Sequence, residues 1–231
     1  MISSIHLGSK VGSYYDNIRK IPKQVSYKIT DNLLFDKRSE MFDRIYEQFD
    51  DFLPYPNTLV LDIGMQYGDY AVICNRVYKS DVIGFEPFPP NWEILQKTIM
   101  RNKALVKWYP YALSNTIKTA YIDESMDMLN YFRSKEGSQY RIRYLPLDRF
   151  RFEPELMKVD VEGYEMEVFE GGIETLRAAH PRIIVETHSR DLKRRVVDFL
   201  GNLGYVKMHE DEPRIGKIMD SSQNLFFRWD A

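Results

Sequence analysis

The chain has 231 residues, of which 44% are apolar and 14% aromatic, enough for one large domain or a domain with an added arm. With 32 Lys and Arg against 34 Asp and Glu the formal net charge is −2, which gives no support for bulk electrostatic binding of nucleic acid. A single cysteine, Cys74, excludes an internal disulfide framework and a multi-cysteine zinc site, no run reaches the ~18 apolar residues of a membrane span, and residues 1–20 lack the apolar stretch of a signal peptide, so the expectation is a soluble, cytoplasmic protein.

Residues 1–38 are polar and rich in Tyr and Lys. Val25, Tyr27 and Ile29 alternate with polar residues and predict a short strand, followed by a turn at Asp31-Asn32. Residues 39–53 predict an amphipathic helix, with Phe42, Ile45, Tyr46, Phe49 and Phe52 at helical spacing, Ser39 as N-cap and Pro54 and Pro56 beyond its end. Residues 1–53 therefore read as an arm and a helix packed on a main domain of residues 54–231.

From Thr58 strands alternate with helices. The strands are expected at 58–63 (TLVLDI), 81–86 (DVIGFE), 106–112, 156–159, 182–186 (RIIVE), 204–209 and 224–229 (NLFFRW). Helices are expected at 68–78, after Pro89-Pro90, after Gly163 with a break at Gly171-Gly172, and after His188 with Gly204 at the end. This alternation predicts an α/β fold with a parallel sheet covered by helices on both faces, and such sheets bind ligands at the carboxyl ends of their strands. Residues 115–145 are too long for a plain connection and read as a substrate-side insertion with short strands at 118–122 and 139–144. Met126, Met128, Tyr131 and Phe132 would give it an adaptable apolar and stacking surface; an ordinary packed hairpin is the alternative.

The residues just past each strand carry the chemistry. After the first strand, Asp62-Ile63-Gly64-Met65-Gln66-Tyr67-Gly68-Asp69 places two glycines four apart but lacks the middle glycine a dinucleotide pyrophosphate needs. A nucleoside without phosphates fits this turn better than NAD or FAD. Glu86, 22 positions beyond Gly64 at the end of the second strand, is placed to accept from a ribose diol. A plain turn and a solvated carboxylate are the alternatives these two features leave open. After the fourth strand, alternation puts Lys158, Asp160 and Glu162 on one side, and after the fifth Glu186 and His188 reach the same edge. Charges gathered there would be costly if buried without a purpose.

These residues carry a resemblance. The segment Lys158-Val159-Asp160-Val161-Glu162-Gly163-Tyr164-Glu165, continued by Phe169-Glu170-Gly171-Gly172 and Pro181-Arg182-Ile183-Ile184-Val185-Glu186, resembles the hallmark of the FkbM-family methyltransferases. Asp62-Ile63-Gly64, Phe85-Glu86-Pro87, Ala112-Leu113-Ser114 and Leu147-Asp148 are similar to further landmarks of that family, in the same order, over residues 58–188. One departure is the bulky Met65-Gln66-Tyr67, where the family has small residues.

The resemblance implies a Rossmann-like class I methyltransferase fold, a mostly parallel seven-stranded sheet with helices on both faces, using S-adenosylmethionine to methylate an oxygen of a small molecule or glycan. It implies a cofactor site built from Asp62, Gly64, Gly68, Asp69, Glu86, Pro87, Phe88, Ala112 and Asp160, with Asp160 at the ammonium end. A neutral hydroxyl is a poor nucleophile, so a base is expected among His188, Glu162 and Asp160, with His188 or Glu162 favoured. A divalent metal on Asp160, Glu162, Glu186 and His188 is the alternative for the same cluster and is not favoured. An RNA methyltransferase, with Lys20, Lys23, Lys28 and Arg141, Arg143, Arg149 and Arg151 as footprint, is a second reading that the net charge counts against. A nucleoside-binding scaffold without catalysis is a third. The oligomeric state stays open.

Overall fold

The computed structural model describes residues 46–122, 140–211 and 222–230, together with Leu33. The expected alternation is present as β1 (Leu59–Ile63), α1 (Asp69–Arg76), β2 (Asp81–Phe85), α2 (Pro89–Arg101) and β3 (Val106–Tyr109). After the insertion follow β7 (Leu156–Val159), α3 (Glu165–Glu170), α4 (Ile173–Ala179), β8 (Arg182–Thr187), α5 (Arg190–Asn202), β9 (Tyr205–Glu210) and β10 (Gln223–Trp229). The strands form a seven-stranded sheet in the order β3-β2-β1-β7-β8-β10-β9. Every pairing is parallel except those of β10, which runs antiparallel to β8 and β9. Chain order reverses between β1 and β7, so the switch point, where an open α/β sheet takes its ligand, lies at their carboxyl ends.

Strand alternation gives the sheet two cores. Leu61, Met157, Ile183 and Val185 face one cluster that takes in Met166 and Phe169 of α3 and Leu192 and Val196 of α5. Val60, Val82, Leu156 and Ile184 face the other, shared with Tyr70 and Cys74 of α1 and Leu95 of α2. Tyr46 and Phe52 are buried in this second cluster, so the chain ahead of β1 completes one face of the sheet.

Two expectations are corrected. Residues 46–53 are not the end of an α-helix. They form tight 3₁₀ turns interrupted at Phe49, whose backbone is extended (φ −124°, ψ 125°). There Phe49 stacks on His209, with ring centroids 4.0 Å apart, and meets Phe226 edge-on, so tertiary contact overrides the helical spacing. The third strand stops at Tyr109 instead of running to Ala112, because Pro110 has no N–H to give a ladder. Ala112-Leu113 becomes β4 of a second sheet, parallel to β6 (Tyr140–Leu145), which pairs antiparallel with β5 (Lys118–Ile122). The expected strand near residues 25–29, the helix start at 39–45, the basic residues Lys20, Lys23 and Lys28, and Met126, Met128, Tyr131 and Phe132 lie outside the described residues.

Candidate active site

The loop between β1 and α1 is fixed from three sides. Gly64 and Gly68 adopt left-handed backbone (φ 83° and 82°), which favours glycine. A Cβ on Gly64 would stand 1.8 Å from the Asp160 carbonyl oxygen, so β1 and the segment after β7 touch at the switch point. The Gly64 carbonyl accepts from Lys158 Nζ at 2.6 Å, and the same ammonium lies 3.2 Å from Asp62 Oδ1. Asp62 is fully buried; burial pushes its carboxyl up against the pull of Lys158. Met65 folds inward onto Gly84, where a Cβ would be 1.9 Å from its Sδ. The bulky loop residue thus leaves the ligand side and enters the core.

Glu86 is also buried. Its Oε2 accepts from the Gln66 N–H at 2.7 Å, and Oε1 from the Phe88 N–H at 3.0 Å and Asn91 Nδ2 at 3.1 Å. Burial pushes its carboxyl up to about 7, against these three donors. A carboxylate has about four acceptor positions, so roughly one remains open. An apolar crevice beside it is lined by Gly64, Phe85, Pro87, Tyr111, Ala112 and Tyr164.

Beyond β7 and β8 lies a cluster of charges. His188 Nε2 is 3.4 Å from Asp160 Oδ1, 3.4 Å from Glu165 Oε1 and 3.9 Å from Glu162 Oε2, while Nδ1 is 3.9 Å from Glu186 Oε1. Tyr46 Oη donates to Asp160 Oδ2 at 2.9 Å and is 3.3 Å from Glu186 Oε2. Lys158 approaches Asp160 Oδ2 to 3.8 Å. Burial alone would lower the His188 pKa, but the Asp160 and Glu165 carboxylates outweigh it and hold the imidazole at about 11. Asp160 is held well below the usual carboxylate range, because Lys158, His188 and Tyr46 outweigh its burial. Glu162 is pushed up to about 7 by burial and then by the Asp160 charge. Its backbone is left-handed (φ 55°), which turns the chain out of the strand line before Gly163.

The structure brings Asp160, Glu162 and His188 into one cluster, and Gly64, Pro87 and Ala112 onto one crevice with Glu86 beside it. The other expected residues lie behind these. Asp62 faces Lys158, Asp69 is buried in the first turn of α1, and Phe88 offers its N–H to Glu86 while its ring packs with Ala112 and Tyr144. Sequence reasoning missed Tyr46 and Glu165. Tyr46 falls on the apolar stripe of the expected helix, and nothing local marks a phenol that reaches 114 residues ahead. Glu165 lay within the hallmark segment, but its full burial beneath His188, with Oε1 accepting from the Val161 and Gly163 N–H groups, depends on the turn. Arg141, Arg143, Arg149 and Arg151 are exposed, and Arg143 lies over the Tyr111 ring at 5.7 Å.

Comparisons with known proteins bear on the fold and the family. A hexuronic acid methyltransferase from Haloferax volcanii is 28% identical over an alignment of 162 residues that covers 65% of this chain and 66% of the relative, just under two thirds of its length. The crystal structure of an FkbM methyltransferase from Methylobacillus flagellatus superposes with a TM-score of 0.56 at 14% identity, over 80% of this chain and 47% of that one. A precorrin-6y C5,15-methyltransferase from Geobacter metallireducens gives a TM-score of 0.51 at 12% identity, over 87% and 92% of the two chains. At such identities the structural likeness concerns the fold. The methyltransferase FkbM domain itself matches residues 62–207, well over half of the chain, and the chain belongs to that family.

Proposed function

We propose that this protein transfers a methyl group from S-adenosylmethionine to an oxygen of a sugar, a hydroxyl before a carboxylate. The observation that carries the reading is the contact of the Gly64 turn with the segment carrying Asp160 and Glu162, which sets an apolar crevice beside an acidic cluster. Family membership supports the cofactor, and the hexuronic acid methyltransferase relative supports the sugar.

In this reading Gly64 and Gly68 shape the turn, Pro87 and Ala112 flank the bound nucleoside, and Glu86 takes one ribose hydroxyl with its remaining acceptor position. Lys158, anchored by Asp62, holds the Gly64 carbonyl and so the turn. When bound, S-adenosylmethionine supplies a methyl on a sulfonium, and the C–S electron pair stays on sulfur as a neutral thioether. Glu162 receives the proton of the acceptor hydroxyl. Asp160 is already engaged by Tyr46, Lys158 and His188, and His188 is only 5% exposed, whereas the Glu162 side chain is 25% exposed and meets His188 only at 3.9 Å. The carboxylates at this edge repel a carboxylate placed as the attacking group, which favours attack by a hydroxyl of the sugar.

The test pairs calorimetric titration of S-adenosylmethionine and its demethylated product with a transfer assay on uronic-acid-containing saccharides. Wild type is expected to bind both nucleosides, Gly64→Ala to bind neither, and Glu162→Gln to bind both while transferring no methyl. Absence of binding by wild type, or full transfer by Glu162→Gln, overturns the assignment.

A further inference from the structure

The geometry points to a divalent metal site formed by Asp160, Glu186 and His188, with Tyr46 as the residue that positions its two carboxylates. The three side chains offer ligand atoms that all lie within 4.8 Å of one another. Around an octahedral ion, ligand oxygens about 2.2 Å from the metal stand roughly 3 Å apart when adjacent and about 4.4 Å apart when opposite. Modest side-chain rotation therefore brings these atoms onto one ion.

Three observations separate this cluster from an ordinary acidic patch. First, the His188 side chain is 95% buried (5% exposed), yet neither ring nitrogen makes a hydrogen bond, and Asp160 Oδ1 makes none either. Buried polar atoms left in this state call for a partner. Second, Tyr46 engages the outer oxygens, Asp160 Oδ2 and Glu186 Oε2, while the inner ones, Asp160 Oδ1 and Glu186 Oε1, face the imidazole. A donor that fixes the outer oxygen of each ligating carboxylate is what a metal's supporting shell does. Third, five carboxylates (Asp62, Asp160, Glu162, Glu165 and Glu186) gather around Lys158 and His188 at this edge. A divalent ion would add positive charge among them.

Two carboxylates and one imidazole suit manganese(II), with magnesium second because it prefers an all-oxygen shell. Bound there, the ion would face Glu162 and could polarise an acceptor oxygen. That role rests on the methyl-transfer reading; the binding of the ion does not.

Full-length protein stripped with chelator is titrated with manganese(II), and the free-ion signal is followed by electron paramagnetic resonance. Wild type should take up one ion per chain with a nitrogen hyperfine coupling. Asp160→Asn should weaken uptake strongly, His188→Gln should abolish the nitrogen coupling, and Tyr46→Phe should weaken affinity by about 10–100-fold. Asp191→Asn, at an exposed carboxylate on α5, should change nothing. Circular dichroism on each variant, and a manganese-dependent rise in the wild-type melting temperature, separate lost ligation from lost folding. No stoichiometric uptake by wild type, or an unchanged nitrogen coupling in His188→Gln, overturns the site. Calorimetry with S-adenosylmethionine on the same samples keeps the two readings apart, since uptake of manganese without nucleoside binding would sink the methyl-transfer reading alone.

Discussion

Met65 takes the space that a side chain on Gly84 would need, and this one pairing decides whether the first loop can hold a ligand. Met65 in the open would fill the crevice; Met65 on Gly84 leaves the crevice to Gly64, Pro87 and Ala112. The sequence displays both residues, but their contact crosses two strands, so only the bulk of the loop was legible and not where that bulk would go. Glu86 poses the same question in electrostatic form. Its carboxyl is raised from 4.5 to about 7 in the folded chain, so between these values the native state binds more protons than the unfolded one. Stability therefore falls as pH rises through that window. Glu86→Gln removes the ionisation, and its stability relative to wild type should rise between pH 5 and pH 8 by on the order of 1–3 kcal/mol. Urea denaturation at the two pH values reads this directly. A difference that is flat with pH would mean that the carboxylate is not strained by its burial.

At the scale of elements, landmarks that look like chemistry turn out to be joints. Asp148 lies in the 3₁₀ turn Leu147–Phe150, and its carboxylate accepts from the N–H groups of Glu174 and Thr175 and from the Thr175 hydroxyl. It caps α4 from outside, where the helix's own leading residue, Gly172, has no side chain to do so. Gly171 is needed at the same joint, because a Cβ there would stand 2.1 Å from the Ser114 carbonyl oxygen. The break between α3 and α4 thus lets the chain just after β4 pass close against the helix layer. The glycine pair was readable as a helix break, since glycine weakens any helix, while the distant cap was not, since it joins residues 26 and 27 positions apart. Asp148→Ala should cost about 1–2 kcal/mol of stability, and Asp148→Asn less because an amide oxygen can still accept. Thermal melts of the two variants check the order, and equal melting temperatures for both would refute a capping role.

Over the whole molecule, the matched domain does not contain everything that its site rests on. It begins at residue 62, yet Tyr46 holds Asp160 and Glu186, and Phe52 is wholly buried against Phe226 of β10. Arg182 ties this leading segment down. Its guanidinium pairs with Glu155 through Nε and Nη2 at 2.6 Å each, donates to the Asp51 and Leu53 carbonyls, and lies 4.0 Å over the Tyr55 ring. The seven strands, the insertion and the charged sheet edge could be read from alternation and strand-end residues, because those signals are local. The clamp could not, because Arg182 looks like the first residue of an ordinary apolar strand. If the segment is integral to the fold, Phe52→Ala should cost about 3–5 kcal/mol, as large core truncations do. Tyr121→Ala, at a side chain 47% exposed on β5, should stay within about 0.5 kcal/mol of wild type. Denaturant titration of both variants decides between an integral segment and a superficial one. If Phe52→Ala proved as mild as Tyr121→Ala, the leading segment would be superficial to the fold, and the anchoring it lends Tyr46 beside Asp160 and Glu186 would fall with that result.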